Sequence, residues 1–432
     1  MALTSSKIKR YIKDTYRRQR RRVKKVVLAA PFWVLAAGIA LTSIGIGRYA
    51  FLAGNRHDQN MAAYWTTDDT TSFRYMSVYA RGARPGGART APVYINQNVS
   101  LKRSDIVAIR TALQSCADSG TSSAGKSGLG TDGRPRGWED CFSSYLSGTV
   151  TSVPDPDSTY IISTTSPCDI IAVEGNFTAF HPFRFMSGGF LPEIADDPRQ
   201  IVINDVLAWK FYKSYDVVGE RLKLWGEEFT IIGVVAEPSD RISRSCGTLD
   251  PRVYVYFSAM ENLAPLIDPG DDFGDTSATP TNTPAPTQAP AAAAAAGSDS
   301  AGSTRPDMAI LCYEAMLPEA VSGVAKTDMS NSVTHYTPAT PNFYLISNTG
   351  RFRLNESWKF VWPIGKTEAL LADYEFPYWE KAAQLTSQHL FADEIVTGVG
   401  VIVLITGTFM AALRFRKMSR KGNKSQFLQK YN

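Results

Sequence analysis

The 432-residue chain carries 46 basic and 41 acidic side chains, a formal net charge of +5. The basic excess lies at the ends: residues 1–25 hold 11 basic residues and one acid, and residues 414–432 hold seven basic residues and no acid. Short basic arms beside apolar segments suit anionic lipid headgroups, to which each Lys or Arg contributes roughly 1 kcal/mol, and they argue against nucleic acid as a partner.

Two uncharged apolar runs predict membrane-spanning helices, at residues 26–47 and 395–413. Each has about the 20 residues that a helix needs to cross a hydrocarbon core of roughly 30 Å. Basic residues precede the first run and follow the second, so the positive-inside rule places both termini in the cytoplasm. We therefore expect a protein of the cell membrane in which residues 48–394 form an extracytoplasmic domain and residues 414–432 a cytoplasmic tail.

The N-terminal segment, residues 1–25, has two interpretations. Its apolar residues Ile8, Tyr11 and Ile12 share roughly one helical face, which predicts an amphipathic helix lying on the inner leaflet. A disordered basic topology signal explains the same composition. The long apolar run that follows has no clean small-residue cleavage site, so we expect an uncleaved signal anchor.

The first part of the predicted outer domain mixes strands and a helix. Residues 76–80 and 91–95 read as strands around a glycine-containing turn at 81–89. Residues 101–113 have the apolar spacing of a helix that Ser104 caps, and residues 118–137 form a glycine-rich loop.

From Thr149 the pattern turns rich in strands. Asn204 or Asp205 caps a predicted short helix at 205–212, and Gly226-Glu-Glu228 predicts a hairpin turn. The strand candidates are residues 160–162, 169–173, 200–203, 221–225, 229–235 and 252–257.

The last part of the outer domain contains a biased segment. Residues 276–304, rich in Pro, Ala and Thr, predict a disordered insertion because they contain no aromatic residue, Val or Ile to bury. Strands are expected at 308–316 and 342–347, and an amphipathic helix at 377–391 leads into the second span. We interpret Pro377-Tyr-Trp379 as a structural joint rather than an interfacial anchor.

The cysteines all fall in the predicted extracytoplasmic part, where disulfides persist. A bond between Cys116 and Cys141 would link the two ends of the glycine-rich loop. The full set of disulfide pairs stays open. Because the number of cysteines is odd, at least one thiol has no internal partner. The five residues are Cys116, Cys141, Cys168, Cys246 and Cys312.

No motif predicts catalysis, a cofactor or a metal. Gly120–Ser127 fits the phosphate-loop spacing, but neither a strand before it nor a helix after it is predicted, so the match is a chance one. The acidic pairs at 196–197, 227–228 and 271–272 read as solvated turns. The four histidines, His57, His181, His335 and His389, are scattered, and glycosylation sequons begin at Asn98, Asn176 and Asn355.

Residues 169–259 resemble the extracytoplasmic core domain of MacB/FtsX-type ABC transporter permeases. The features that carry the resemblance follow one another in order. They are a strand and hydrophobic stretch at 173–190 that ends near Gly188-Gly189, a strand and short helix at 200–213, a hairpin at 216–235 with Gly219 before it and Gly233-Val234 near its end, and a closing strand at 253–259. We expect residues 180–190 and 222–235 to be framework rather than a ligand site.

The resemblance implies an α+β domain between two spans, in a reduced two-span form of a family that has one helix before this domain and three after it. It implies a non-catalytic permease-like or accessory subunit of an ABC-type transport or mechanotransmission system, whose outer domain binds substrate or a partner. An ABC ATPase, four-span permease subunits and a homo- or hetero-oligomer are the implied partners. The alternative is a cell-envelope scaffold or receptor that uses this fold without an ATPase.

Overall fold

In the computed structural model, the residues that the structure describes are 16–17, 30–65, 72–80, 101–120, 129–131, 133–154, 164–194, 197–263, 308–319, 321–336, 343–354, 356, 374 and 376–429, with the side chains of 120, 335–336 and 418–429 excepted. The chain divides into two compact units. The helical unit takes residues 1–56, 352–367 and 384–432, and the strand-rich unit takes residues 57–351 and 368–383.

Helices and strands are mixed along the chain, which confirms the predicted α+β class. The helices are α1 Ala30–Gly54, α2 Met61–Trp65, α3 Arg103–Gly120, α4 Phe177–Phe180, α5 Asp205–Tyr212, α6 Arg241–Ser245, α7 Phe257–Leu263, α8 Val324–Tyr336 and α9 Tyr378–Gln429. The strands are β1 Ser72–Ala80, β2 Glu139–Ser152, β3 Thr165–Gly175, β4 Arg184–Gly188, β5 Gln200–Asn204, β6 Arg221–Leu224, β7 Glu227–Ala236, β8 Arg252–Tyr256, β9 Cys312–Glu319 and β10 Phe343–Ser347.

In the helical unit, α1 and α9 pack along a seam of glycines. A Cβ added to Gly45 would lie 2.2 Å from Thr397 Oγ1, and one added to Gly400 would lie 2.6 Å from Thr42 Oγ1. The helices therefore approach as closely as small residues allow, as is common for helices packed in lipid. The close pairs run antiparallel: Gly38 with Leu404, Gly45 with Thr397, Thr42 with Gly400 and Leu35 with Gly407.

Both helices are long and apolar enough to cross a membrane. Only 17% of the most apolar window of α1 and 11% of that of α9 is buried, whereas the core helix of a water-soluble protein would be mostly buried. The elements differ in length from the predicted spans: α1 runs past Gly47 to Gly54, and α9 joins the predicted helix 377–391, the predicted span and part of the tail in one helix.

In the strand-rich unit, the ten described strands form one sheet in the order β10-β1-β9-β2-β3-β8-β5-β7-β4, with β6 paired to β2 and β7. The β3–β8 and β5–β7 pairs are parallel, and the other pairs are antiparallel. Since β6 links β7 back to β2, the six strands β2, β3, β8, β5, β7 and β6 close into a ring.

Strand β2 belongs to two parts of this sheet. Its first residues, Glu139 to Ser143, pair with β9, and its last, Val150 to Ser152, pair with β6 along the same edge. β9 in turn carries β1 and β10. The ring and the three-stranded wing of β9, β1 and β10 are therefore built on one long strand.

Local sequence explains the elements around the ring. Asn204 caps α5, since its side chain accepts a hydrogen bond from the Leu207 N–H, which confirms one of the two predicted caps. The β6–β7 hairpin turns at Trp225-Gly226, which have φ values of 47° and 87°. Both values are those of the tight turn that suits a two-residue hairpin. Glu227 and Glu228, predicted to lie in this turn, are instead the first residues of β7.

The glycine pair singled out in the sequence lies against the strand that contains Gly233. A Cβ on Gly233 would lie 1.9 Å from the Gly189 carbonyl oxygen, and one on Gly188 2.1 Å from that of Ile232. The pairing of β7 with β4 and its pairing with β5 both shift register here. A glycine inside a strand, as Gly233 is, predicts a close backbone approach or a bulge. The geometry shows a close approach here, together with a shift of register.

Several predictions were wrong in detail. Ser104 does not cap α3, because the helix begins at Arg103; instead, the Asp105 carboxylate accepts a hydrogen bond from the Lys102 N–H. Residues 118–120 belong to α3 rather than to a loop, and β2 begins at Glu139, before the expected start of the β-rich region. None of the five cysteines forms a disulfide, so no Cys116–Cys141 bond forms.

Other predictions lie outside the described residues. These are the amphipathic segment 1–25 apart from residues 16–17, the turn 81–89, the strands 91–95 and 160–162, the insertion 276–304, the acidic pair 271–272 and the sequon at Asn98.

Candidate functional site

The first turn of α9 is buried in the strand-rich unit. Tyr378, Trp379 and Glu380 are all less than 9% exposed. Pro377 immediately precedes the helix, and its carbonyl accepts the first helical hydrogen bond, from the Lys381 N–H. The predicted structural joint at 377–379 therefore packs among protein side chains.

Glu380 forms a two-pronged ion pair with Arg351, which follows β10. The Arg351 Nη1 to Glu380 Oε2 distance is 2.7 Å and the Nη2 to Oε1 distance is 2.9 Å. Neither side chain is more than 1% exposed. Parallel guanidinium–carboxylate hydrogen bonds of this kind fix orientation as well as distance.

The surroundings of the Arg351 guanidinium keep it charged. Burial lowers the pKa of Arg351, but the Glu380 carboxylate beside it outweighs that effect and raises the pKa above its ordinary value. Tyr79 of β1 lies 3.4 Å from Glu380, and burial followed by the charge of Glu380 raises its pKa. Glu380 thus joins α9 to the turn after β10 and to β1.

A second buried cation, Arg252 at the start of β8, contacts α9 through a ring. Its guanidinium carbon lies 4.3 Å from the centroid of Tyr378, which is cation–π geometry. Arg252 also donates to Glu237, to Asp169 at 3.0 Å and to the Gly247 carbonyl at 2.9 Å. Burial lowers the pKa of Arg252, but Glu237 more than offsets it and the pKa is raised.

The Glu237 carboxylate extends this contact to a tyrosine pair. It accepts a hydrogen bond of 2.6 Å from the Tyr254 hydroxyl, which lies 3.2 Å from that of Tyr378. We call the five residues Glu237, Arg252, Arg351, Tyr378 and Glu380 the α9 joint.

An aromatic layer packs beside the α9 joint. Phe177 lies 5.7 Å from Trp379, and Phe183 and Phe190 lie 5.3 and 5.5 Å from Tyr254, between ring centroids. The region 180–190, predicted to be framework, thus contacts the residues that hold the first turn of α9.

A third buried charge lies in the wing. His181 Nε2 is 2.7 Å from Glu314 of β9, which also accepts hydrogen bonds from Tyr75 and from Ser77. Burial by itself raises the pKa of Glu314, but His181 and the two hydroxyl groups lower it below its ordinary 4.5. This histidine is therefore a partnered core residue.

The ionisable side chains of these clusters are buried and partnered. Each buried charge is held by an opposite charge and hydrogen bonds, which is what burial of an ionised group requires. Among the described residues, no group of three or more His, Cys, Asp or Glu side chains could hold a metal ion. The arrangement can therefore hold the start of α9 in one orientation against β1 and β8.

The residues singled out in the sequence are dispersed. Glu227 and Glu228 pair at the surface with Arg199 and Arg221, at 3.2 and 3.1 Å, while His57 and His389 are exposed. Asn176 lies before α4, with its amide 3.4 Å from Glu139. Most of the Gly120–Ser127 segment and most of the Asn355 sequon lie outside the described part of the chain.

No local sequence pattern indicated Arg252, Glu314 or Arg351. Each is an isolated charge in the sequence, and its partner lies between 15 and 133 residues away along the chain. A signal did exist for Glu380, because it falls among Trp379, Ala382 and Ala383 on the apolar face of the predicted helix.

The comparisons with known proteins identify one family. Residues 143–298 match the family model of the MacB-like periplasmic core domain. No curated protein sequence matches the chain.

Similar solved structures share low sequence identity with this chain. The periplasmic region of MacB from Actinobacillus actinomycetemcomitans is 13% identical over 64% of this chain and 89% of that chain, with a TM-score of 0.35. The extracellular domain of the noncanonic ABC-type transporter YknZ from Gram-positive bacteria is 10% identical over 63% and 99%, with a TM-score of 0.33. A domain of a permease protein from Porphyromonas gingivalis is 12% identical over 64% and 88%, with a TM-score of 0.27. The domain assignment rests on the family match.

Proposed function

Because this chain carries a MacB-like periplasmic core domain, as MacB/FtsX-type ABC permeases do, we propose that it is a non-catalytic, permease-like subunit of an ABC-type system. Its strand-rich unit lies outside the cytoplasmic membrane, within residues 48–394, and binds substrate or a partner protein. Residues 26–47 and 395–413 lie in the membrane. The basic segments 1–25 and 414–432 contact anionic headgroups on the cytoplasmic side.

One observation supports the mechanical part of this proposal. The helix that contains the second predicted span begins with a turn held by the α9 joint. A desolvated, two-pronged ion pair has one favourable geometry, so the first turn of α9 moves with β1 and β8 rather than independently of them. A motion of α9 is therefore transmitted to these strands, and a motion of the strands is transmitted to α9.

Partners are tested by purifying the tagged full-length chain from its native host in a mild detergent and identifying what accompanies it. A stoichiometric ABC ATPase together with a four-span permease supports the proposal. Recovery of the chain alone, or with envelope proteins only, overturns it and favours the scaffold or receptor that uses this fold without an ATPase.

Coupling through the α9 joint is tested in the purified complex. We expect Glu380→Gln to keep the ATPase bound but to lower the effect of this subunit on ATP hydrolysis. The matched control is Glu227→Gln, which removes a carboxylate from an exposed pair and leaves hydrolysis unchanged. Equal hydrolysis in both variants contradicts transmission through α9.

Orientation is tested with alkaline phosphatase, which is active only outside the cytoplasm. An enzyme fused after Asn432 stays inactive, and one inserted within residues 276–304 is active. The reverse pattern overturns the proposed topology.

A further inference from the structure

A polar cavity of about 180 Å³ lies in the strand-rich unit, beside the first turn of α9. Ser147, Asp169 and Arg252 line it from the sheet, and Phe376, Tyr378 and Lys381 line it from the start of the helix. A second cavity of about 270 Å³ shares Ser147, Asp169 and Asp250 with the first. Its other walls include Pro167, Cys168 and Pro251.

Most charges around the first cavity are already neutralised. Arg252 is 2% exposed and is held by Glu237, Asp169 and the Gly247 carbonyl. The Arg252 guanidinium is therefore not free to bind an anion. Asp169 has one oxygen on Arg252 and the other 3.4 Å from the Ser147 hydroxyl.

Two charges of opposite sign remain free. Within the part of the chain that the structure describes, no hydrogen bond or ion pair reaches the Asp250 carboxylate or the Lys381 ammonium group. Both side chains line the cavity, and both residues are exposed. They are not paired with each other. The cavity thus presents one uncompensated anion and one uncompensated cation to whatever enters it.

We propose that this cavity binds a small zwitterion, a molecule that carries an ammonium and a carboxylate group at the separation found in an amino acid or a short peptide. The ammonium group binds Asp250, with Asp169 adding to the negative potential, and the carboxylate binds Lys381. The aromatic walls Phe376 and Tyr378 cover the part between the charges. The less polar second cavity receives a small side chain.

Size and charge select this class of ligand. The first cavity is smaller than the roughly 300–1,000 Å³ typical of sites for drug-sized molecules, which limits the ligand to a few non-hydrogen atoms. A simple anion would be repelled by Asp169 and Asp250 and would leave the Asp250 carboxylate unpaired. A simple cation would be repelled by Lys381 and would leave the Lys381 ammonium group unpaired. Because the ligand contacts both the sheet and the first turn of α9, binding also ties these two elements together.

The inference is tested by calorimetric titration of the full-length protein in detergent. The probes are alanine and alanyl-alanine, which separate the two sources of a zwitterion, and N-acetylalanine and alanine amide, which each lack one charge. We expect saturable binding of at least one zwitterion and about tenfold weaker binding of both single-charge probes. No saturation by either zwitterion up to about 10 mM overturns the proposal.

Two variants assign the charges. Asp250→Asn is expected to weaken zwitterion binding about tenfold and to remove the preference over N-acetylalanine, and Lys381→Gln to weaken it similarly and to remove the preference over alanine amide. The controls, Asp216→Asn and Lys326→Gln, change exposed charges that do not line either cavity and should bind as the unchanged protein does. Variants at Asp250 and Lys381 with unchanged affinity overturn the assignment. Binding is measured on the chain alone, so a failure here is distinct from the absence of an ATPase partner.

Discussion

At the scale of single residues, the Arg351–Glu380 pair gives the sharpest expectation. Removal of one partner leaves the other charge buried, so we expect Glu380→Gln and Arg351→Met each to lower the free energy of unfolding by about 3–5 kcal/mol. The double variant Arg351→Met with Glu380→Met should recover much of that loss, because no lone charge remains. Urea unfolding followed by tryptophan fluorescence measures all three.

The exposed pair Arg199–Glu227 is the control for that cycle. Its side chains are 66% and 41% exposed, and its disruption should cost no more than about 1 kcal/mol. Losses of equal size at the two pairs would show that Arg351 and Glu380 are not desolvated in solution.

The Glu314 carboxylate predicts how stability depends on pH. Its pKa in the folded chain lies below the ordinary 4.5, so the unfolded chain binds the proton more readily. The ionised Glu314 carboxylate therefore contributes its full stabilisation above about pH 4.5. This stabilisation is lost as the pH falls through the lower pKa that Glu314 has in the folded chain. The groups that face it are His181, Tyr75, Ser77 and Cys141.

We expect Glu314→Gln to flatten the decline in unfolding free energy below pH 4.5, measured by urea unfolding at several pH values. Glu228→Gln, at a half-exposed position, should keep the slope of the unchanged protein. A Glu314→Gln curve parallel to that of the unchanged protein contradicts the assignment.

Local sequence patterns predicted the structural roles of some residues and missed those of others. The cap at Asn204 and the close approach at Gly233 were predictable, because each depends on a neighbouring backbone or on the absence of a side chain. Arg351 and Glu314 were not, since a charge with a distant partner has the same local sequence as a solvated one.

At the scale of helices and strands, the glycine seam of α1 and α9 predicts a register. Cysteines introduced at Leu35 and Gly407 should cross-link, because a Cβ on Gly407 lies 3.0 Å from the Leu35 side chain. Adding Gly45→Ile should reduce this cross-link several-fold, since its side chain would collide with Thr397.

Gly47→Ile is the matched control, because nothing lies within 4 Å of a Cβ added to Gly47. Single-cysteine variants account for reactions of the native thiols. Equal cross-linking with Gly45→Ile and Gly47→Ile would contradict the packing of the two helices.

Strand prediction failed at the start of β2, where burial is two-sided. Residues 140–146 of β2 are all buried, so apolar and polar residues do not alternate as they do on a half-exposed strand. Asp140 lies in the interior because Arg110 pairs with it at 2.6 Å. Local periodicity does not reveal this contact. The β6–β7 hairpin was predictable, since its turn chemistry and its alternation are both local.

At the scale of the whole molecule, the burial of the cysteines predicts a labelling pattern. Cys141, Cys168 and Cys312 are buried, and burial raises the pKa of each thiol, so the thiolate that reacts is scarce. We expect maleimide to label the native chain at Cys116 and Cys246 only.

All five thiols should react after unfolding without a reducing agent. Three reactive thiols in that state would instead show one disulfide, the number expected if Cys116 and Cys141 were bonded. Mass spectrometry of the labelled chain counts them.

The α+β class and the two long apolar helices could be predicted from composition and periodicity, because these are properties of continuous segments. The closed ring could not. It depends on β6 pairing with β2 and β7 at once and on two parallel pairs, and none of these is encoded by neighbouring residues.

The wing has a consequence for synthesis. Ser72 of β1 is hydrogen-bonded to Glu319 of β9, 247 residues later, and the other partner of β1, β10, comes later still. At about 5–20 residues per second, β1 waits roughly 10–50 s after its own translation before a partner strand exists. During that interval a strand with six consecutive residues destined for the interior is unpaired along both edges, so the nascent chain is most vulnerable to aggregation at its first strand rather than its last.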